Sequence, residues 1–387
     1  MNLNFNMPTK LYFGVGQVEI LGDIAKQYGR KCLLVTTANT PPLDSLYSRI
    51  KDILIKNNFE VVHFDHVIPN PTTEIVEKGI KLLKDNNVDF VLSVGGGSSI
   101  DTAKTICLLN GLDEIHWEDV FSTYTSPHAN YEPLSEKYIP HISIPTTSGT
   151  GSEVTQAAVL SMGDDKNTIF HPLNYSDDAI LDPSLLLTLP RKLTASTGFD
   201  AFSHAFESYI NSAASPFSEL ASIEAIKTIK DYLVKSVNDL QNIDYREKLL
   251  YAQTLAGIGL SNAGASAPHP LSEIIGGITH ISHGEALALV FPEFLRSQHH
   301  LNTAKFACVA RIFDETLNTV SDEDAAAKLG DIIEKFLGDI GLYLRFEDYN
   351  VSDEQFDLIV NCPVLGFLPF GSKDDLQRII LNSKELR

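Results

Sequence analysis

Apolar positions in the first half of the chain come in short runs set apart by stretches of helical spacing. KCLLVT (Lys31–Thr36), EVVHF (Glu60–Phe64), DFVLSV (Asp89–Val94) and HISIP (His141–Pro145) each have the length of a buried strand. Between them, apolar residues three and four apart predict helices over Asp44–Asn57 (Leu46, Ile50, Ile53, Leu54), after an N-cap at Thr72 (Ile75, Val76, Ile80, Leu83), and over Ser98–Leu109. Such alternation predicts βαβ units and a parallel sheet. After Leu189-Pro190 the period becomes helical almost throughout. Helices are predicted at Thr194–Ile210, Phe217–Val234, Tyr245–Leu260, His283–Ser297, Leu301–Phe313, Asp322–Ile340, Asp353–Asn361 and Lys373–Asn382. The expected organisation is an α/β domain over residues 1–185 and an all-α domain over 186–387, divided where Asp182-Pro183 and Pro190 punctuate the chain.

Length agrees with two domains: 387 residues exceed what one core usually fills, about 250–300. Charge narrows the partners. Fifty acidic residues against thirty basic ones leave a net charge of -20, which repels phosphate backbones and anionic lipid, so neither nucleic acid nor a membrane surface is expected as a partner. No run approaches 18 apolar residues, and MNLNFNMPTK lacks an apolar signal region, so a soluble, cytoplasmic protein is expected. Cys32, Cys107, Cys308 and Cys362 are far apart and without CxxC spacing; free thiols are expected.

Two loops then carry candidate chemistry. In VLSVGGGSSIDTAK (Val91–Lys104) a strand runs through three glycines into a helix start. Glycines let backbone N–H groups close on a phosphate, and the helix N-terminus adds partial positive charge. Ser98 and Ser99 can donate to phosphate oxygens or cap the helix, and a ligand-free βα turn is the alternative. The spacing is not GxGxxG. A second loop, PTTSGTGSEVT (Pro145–Thr155), follows the HISIP strand with more hydroxyls and glycines. Two such loops at strand ends of one sheet suggest a dinucleotide or another phosphate-bearing ligand.

A third feature lies in TGFDAFSHAFES (Thr197–Ser208), where Asp200 and His204 stand at i and i+4 on one helix face. Alone they read equally as a hydrogen-bonded pair or as two ligands. APHPLSEIIGGITHISHGEA (Ala267–Ala286) adds His269, His280 and His283. One carboxylate with several imidazoles suits Fe²⁺ or Zn²⁺ better than Ca²⁺ or Mg²⁺.

Together these four stretches resemble the signatures of the iron-containing (group III) alcohol dehydrogenase family, in the same order and spacing, over the chain up to about residue 300. The resemblance implies a dehydroquinate synthase-like fold, with an N-terminal nucleotide-binding α/β domain and a helical C-terminal domain. It implies an NAD- or NADP-linked alcohol dehydrogenase or aldehyde reductase acting on a small alcohol, diol or aldehyde. Asp200, His204, His269 and His283 are implied as the ligands of Fe²⁺ or Zn²⁺, with His280 outside the set. Gly96, Gly97, Ser98 and Ser99 are implied at the pyrophosphate, Asp101 at the nicotinamide end, Thr146, Thr147 and Thr150 along adenine and ribose with Thr155 nearby, Asn70 at a ribose, and Lys166 at the cofactor ribose. Lys104 reads as a solvated helix lysine or as a pair for Asp101. A homodimer is implied, through the strand region around Leu11–Phe13.

Three departures bear on function. Where members strict for NAD carry an Asp, this chain has Thr37, so NADP(H) is expected to be accepted. Where many members have a histidine four residues after the third ligand, this chain has Glu273, read either as a proton relay or as the hydrogen-bond partner of a ligand imidazole. CPVLGFLPFGSKDDL (Cys362–Leu376) is unlike the usual family ending, which leaves the substrate open. Maleylacetate reductase or hydroxyacid-oxoacid transhydrogenase activity is the alternative. A dehydroquinate synthase-like lyase fits less well, because the region around the metal motifs is poor in Lys and Arg.

Overall fold

A computed structural model describes residues 3–134, 138–163, 165–368 and 370–385. Met1, Asn2 and Pro369, from two of the stretches singled out above, lie outside them. The chain divides into two units. One comprises Asn6–Leu189 and Gln241–Leu250; the other comprises Pro190–Leu240 and Tyr251 onward, with residues 3–5. A single boundary at 185/186 therefore does not describe the division, because residues 241–250 group with the first half.

Among the described residues, the first unit is built on eight strands: β1 (Lys10–Phe13), β2 (Lys31–Thr37), β3 (Glu60–Val67), β4 (Phe90–Gly95), β5 (His141–Pro145), β6 (Ala157–Met162), β7 (Asp165–Phe170) and β8 (Asp178–Leu181). Six form a parallel sheet in the order β1-β8-β5-β4-β2-β3, and β6 pairs with β7 as an antiparallel hairpin. Helices α1 (Leu21–Ala25), α2 (Asp44–Lys56), α3 (Thr73–Asn86), α4 (Gly97–Leu109) and α5 (Trp117–Thr123) complete it. The sheet alternates with period two. Leu33, Val35 and Val91 pack with Val76 and Leu83 of α3 and Ile106 of α4. Cys32, Leu34, Leu92 and Val94 pack on the other face with Leu21 of α1 and Ile50 and Leu54 of α2. Both faces are thus covered, as a parallel sheet requires. The chain leaves β2 toward one face and β4 toward the other. The ends of these adjacent strands form the switch point at which doubly wound sheets bind ligands.

The second unit is helical: α6 (Arg191–Ile210), α7 (Pro216–Asn238), α8 (Ile243–Ala263, from Tyr251 in this unit), α9 (Pro268–Thr279), α10 (His283–Gln298), α11 (Thr303–Phe313), α12 (Asp322–Ala327), α13 (Leu329–Ile340), α14 (Asp353–Val360) and α15 (Lys373–Glu385). Its centre is aromatic, with Phe199, Phe202 and Phe206 of α6 against Phe291 of α10 at ring-centroid distances of 5.4–5.7 Å. Phe199 is therefore core. The helix expected over Asp322–Ile340 is broken at Lys328 into α12 and α13. No helix among the described residues is long and apolar enough to cross a membrane. All four cysteines are free; Cys32 and Cys107 are buried, Cys308 and Cys362 half-buried.

Candidate metal centre and nucleotide loops

Helix α6 carries Asp200, His204 and Glu207 at i, i+4 and i+7, one face of a helix, and all three are buried. Helix α9 adds His269, and α10 begins with His283. Gly284 lets α10 open directly against α6. A Cβ on it would lie 2.4 Å from the backbone oxygen of Ser196, a contact no rotamer can relieve.

Asp200 Oδ1 is the common point. His269 Nε2 and His283 Nε2 each lie 3.5 Å from it, and His204 Nδ1 lies 3.7 Å away. These spacings approach the ~3.4 Å edge of a tetrahedron whose corners stand about 2.1 Å from a metal. Asp200, His269 and His283 offer one ligand atom each, all within 4.8 Å of one another. His204 stands beside this trio, its ring stacked on that of His269 at 4.3 Å. Asp200 Oδ1 and His269 Nε2 are buried without a hydrogen-bond partner.

The outer nitrogens of two of these imidazoles are held. Glu207 Oε1 lies 2.6 Å from His269 Nδ1, and Ser272 Oγ lies 3.2 Å from His283 Nδ1. Burial alone would raise the Asp200 carboxyl, but His204, His269 and His283 hold it well below the usual carboxylate range. Burial alone would lower His269; Glu207 and Asp200 outweigh it and raise it to about 10. Two buried carboxylates thus draw positive charge into this spot, and a divalent cation would supply it there. The orphaned atoms, the spacing and the mixed oxygen and nitrogen donors fit Fe²⁺ or Zn²⁺.

In the first unit the two loops meet. β4 and β5 are neighbours, with Gly95 in register with Pro145, and Thr146 N donates to Gly95 O at 2.9 Å. A Cβ on Gly97 would lie 2.8 Å from Thr150 Cγ2, and one on Gly96 would lie 3.1 Å from Thr147 Cγ2, so the hydroxyl loop sits against the glycines. Helix α4 starts at Gly97 with no side-chain cap. Ser99 Oγ and Ser148 Oγ are buried without partners. An uncapped helix start lined by small residues and orphan hydroxyls fits a phosphate group.

Residues 8–183 match the family described as Iron-containing alcohol dehydrogenase, and residues 194–366 match Fe-containing alcohol dehydrogenase family, C-terminal. The chain belongs to the iron-containing alcohol dehydrogenase family. It is accordingly an oxidoreductase acting on CH–OH groups. Among relatives of this family, it is 31% identical to NAD-dependent methanol dehydrogenase of Bacillus methanolicus, over 92% of each chain. It is 30% identical to NADPH-dependent butanol dehydrogenase of Clostridium saccharobutylicum, over 92% of this chain and 88% of that one. The solved structure of 1,3-propanediol oxidoreductase superposes with a TM-score of 0.91 at 29% identity, covering 99% of this chain and 100% of that one.

Not every residue expected at the cofactor of this dehydrogenase has a free group. Asp101 accepts from Ser152 Oγ at 2.5 Å and Val159 N at 3.0 Å. Lys104 is fully buried and not solvated. Its Nζ donates to Ser152 Oγ, Thr155 O, Thr155 Oγ1 and Ala157 O and lies 3.9 Å from Asp101. Thr155 is thereby engaged with Lys104. Thr37 Oγ1 lies 2.8 Å from Tyr47 OH at the end of β2. Asn70 is exposed at φ 53°, a conformation asparagine tolerates, and Lys166 lies half-buried on β7. His280 is exposed at the left-handed end of α9, outside the metal cluster. Glu273 is half-buried on α9, one turn after His269. The carboxylate that holds the His269 imidazole is that of Glu207, which the sequence reading missed. Its signal was in plain view, seven residues after Asp200 on the same helix face.

Proposed function

We propose that this chain transfers hydride reversibly between a small alcohol, diol or aldehyde and NAD(P), with Asp200, His204, His269 and His283 as ligands of Fe²⁺ or Zn²⁺. The observation that carries the reading is the convergence of Asp200, His269 and His283, with two orphaned buried atoms among them. When bound, the ion supplies a Lewis acid for the substrate oxygen, and the dinucleotide gives or takes the hydride.

The chain's own residues do the rest. Asp200 brings the negative charge that makes a cation welcome among imidazoles. Glu207 and Ser272 hold His269 and His283 by their outer nitrogens. Gly96 and Gly97 keep the start of α4 open for the pyrophosphate, and Ser98 and Ser99 donate to it. Thr146, Thr147 and Thr150 line the rest of the dinucleotide, with Asn70 and Lys166 toward its riboses. Asp101 and Lys104 fix Ser152 and Thr155 behind these groups. Glu273 exchanges the alcohol proton with solvent. Thr37 leaves room for a 2′-phosphate, so both NAD(H) and NADP(H) serve. The enzyme works as a cytoplasmic homodimer.

Elemental analysis of anaerobically purified protein, with NADH and NADPH oxidation over a panel of aldehydes, tests the reading. One divalent transition ion per chain, and turnover lost with it, is expected. Wild-type turnover by protein stripped of metal would overturn it.

A further inference from the structure

Glu207 is fully buried, and both of its oxygens are spoken for. Oε1 lies 2.6 Å from His269 Nδ1. Oε2 accepts from Ser266 N at 2.7 Å and from His269 N at 3.4 Å. These backbone groups open α9, whose own N-cap position, Ala267, supplies no side-chain cap. One carboxylate on α6 therefore caps α9 and grips the imidazole on its first turn. An ionised carboxylate only accepts hydrogen bonds, so the Nδ1 facing it must carry a proton. Nε2 is then the nitrogen left to aim at Asp200 Oδ1, 3.5 Å away, and neither atom has a hydrogen-bond partner. His283 is held differently. Ser272 Oγ spends its proton on His269 O at 2.7 Å and faces His283 Nδ1 as an acceptor without charge.

We propose that Glu207 is a positioning residue for the metal centre, fixing His269 as the Nδ1–H tautomer and making it a more strongly donating ligand than His283. The proposal rests on the metal reading given above, and the test separates the two. Carboxylate partners of metal-bound histidines are worth about 10- to 100-fold in metal affinity, more than a neutral hydroxyl provides. Zn²⁺ affinity is measured by competition with a chelator for wild type, Glu207→Gln and Ser272→Ala, each checked by circular dichroism and by nucleotide binding. Glu207→Gln should bind Zn²⁺ about 10- to 100-fold more weakly with its fold intact, and Ser272→Ala should lose less.

A second readout belongs to the tautomer. In Zn²⁺-loaded protein labelled with ¹⁵N-histidine, one far-downfield Nδ1–H proton is expected, moved upfield in Glu207→Gln. Equal affinity of Glu207→Gln and wild type, or equal losses in the two variants, overturns the proposal and leaves the metal centre standing. Should Glu207→Gln fail to fold, a neutron structure of the loaded wild type decides: a deuteron on Nδ1 of His269 supports the proposal, and one on Nε2 overturns it. Absence of Zn²⁺ or Fe²⁺ binding by the wild type removes the metal reading itself.

Discussion

Single atoms decide much at this centre. Gly284 has no Cβ, and the backbone oxygen of Ser196 occupies the place a Cβ would need. Because that oxygen belongs to α6, an alanine there must push the start of α10 away, and His283 goes with it. Gly284→Ala is therefore expected to lose turnover on the order of 100-fold, the scale of an ångström-sized displacement of a catalytic group, while nucleotide binding persists. Metal content and kcat check this. Thr37 makes the complementary case at the end of β2. A carboxylate there would accept from ribose hydroxyls and repel a 2′-phosphate. Thr37→Asp should shift the ratio of kcat/KM for NADH over NADPH upward by about tenfold or more, equivalent to about 1.4 kcal/mol. An unchanged ratio would separate Thr37 from coenzyme choice. Glu273→Gln should slow proton exchange and so lower kcat without lowering metal content; an unaltered kcat removes Glu273 from the mechanism.

Among elements, α4 shows what holds the glycine and hydroxyl loops in place. Its first turn faces the hydroxyl loop through glycines, and its second buries Lys104 under residues 152–157. Burial lowers Lys104 to about 8, against the pull of Asp101 and Glu153. The unfolded lysine keeps its proton to about 10.5. Between these values the unfolded state holds more protons, so stability gains as pH rises through the window. Below pH 8 the buried charge carries its full desolvation cost. Thermal unfolding of wild type relative to Lys104→Met, compared at pH 7.5 and pH 10, should show wild type gaining with pH; a flat difference would show that Lys104 does not titrate there. Elements also show where sequence reading succeeds. The strands β2 to β5, with α2, α3 and α4 between them, were legible because their apolar periods are undisturbed. Helix α9 was not, since PHPLSEIIGGIT carries two prolines and two glycines and takes its cap from Glu207, 62 residues away. The hairpin of β6 and β7 was equally hidden: half-buried side chains and a buried lysine from α4 hold it, and neither leaves a clear period. Lys104 itself reads as solvated until the fold closes over it. The residues expected as metal ligands could be put together as a set only through family resemblance, for spacing along the chain cannot show that α6, α9 and α10 meet.

For the whole molecule, the candidate metal residues belong to one unit and the candidate nucleotide loops to the other. Each ligand therefore has its own partner for stability. An ion that binds only the folded helical unit stabilises it by RT ln(1 + [L]/Kd), about 2.7 kcal/mol at a free concentration of 100 Kd. At about 2–4 °C per kcal/mol for a unit of this size, saturation with Zn²⁺ should raise its melting temperature by about 5–10 °C. Asp200→Ala removes the charge that draws the ion in, so its melting temperature should not respond to Zn²⁺. It should, however, respond to NADH as wild type does, because no residue of the α4 loops is altered. Calorimetry with each ligand, on both proteins, checks the four combinations. A Zn²⁺ shift that survives Asp200→Ala would place the ion elsewhere, whereas a lost NADH shift would mean that the substitution had disturbed more than one carboxylate.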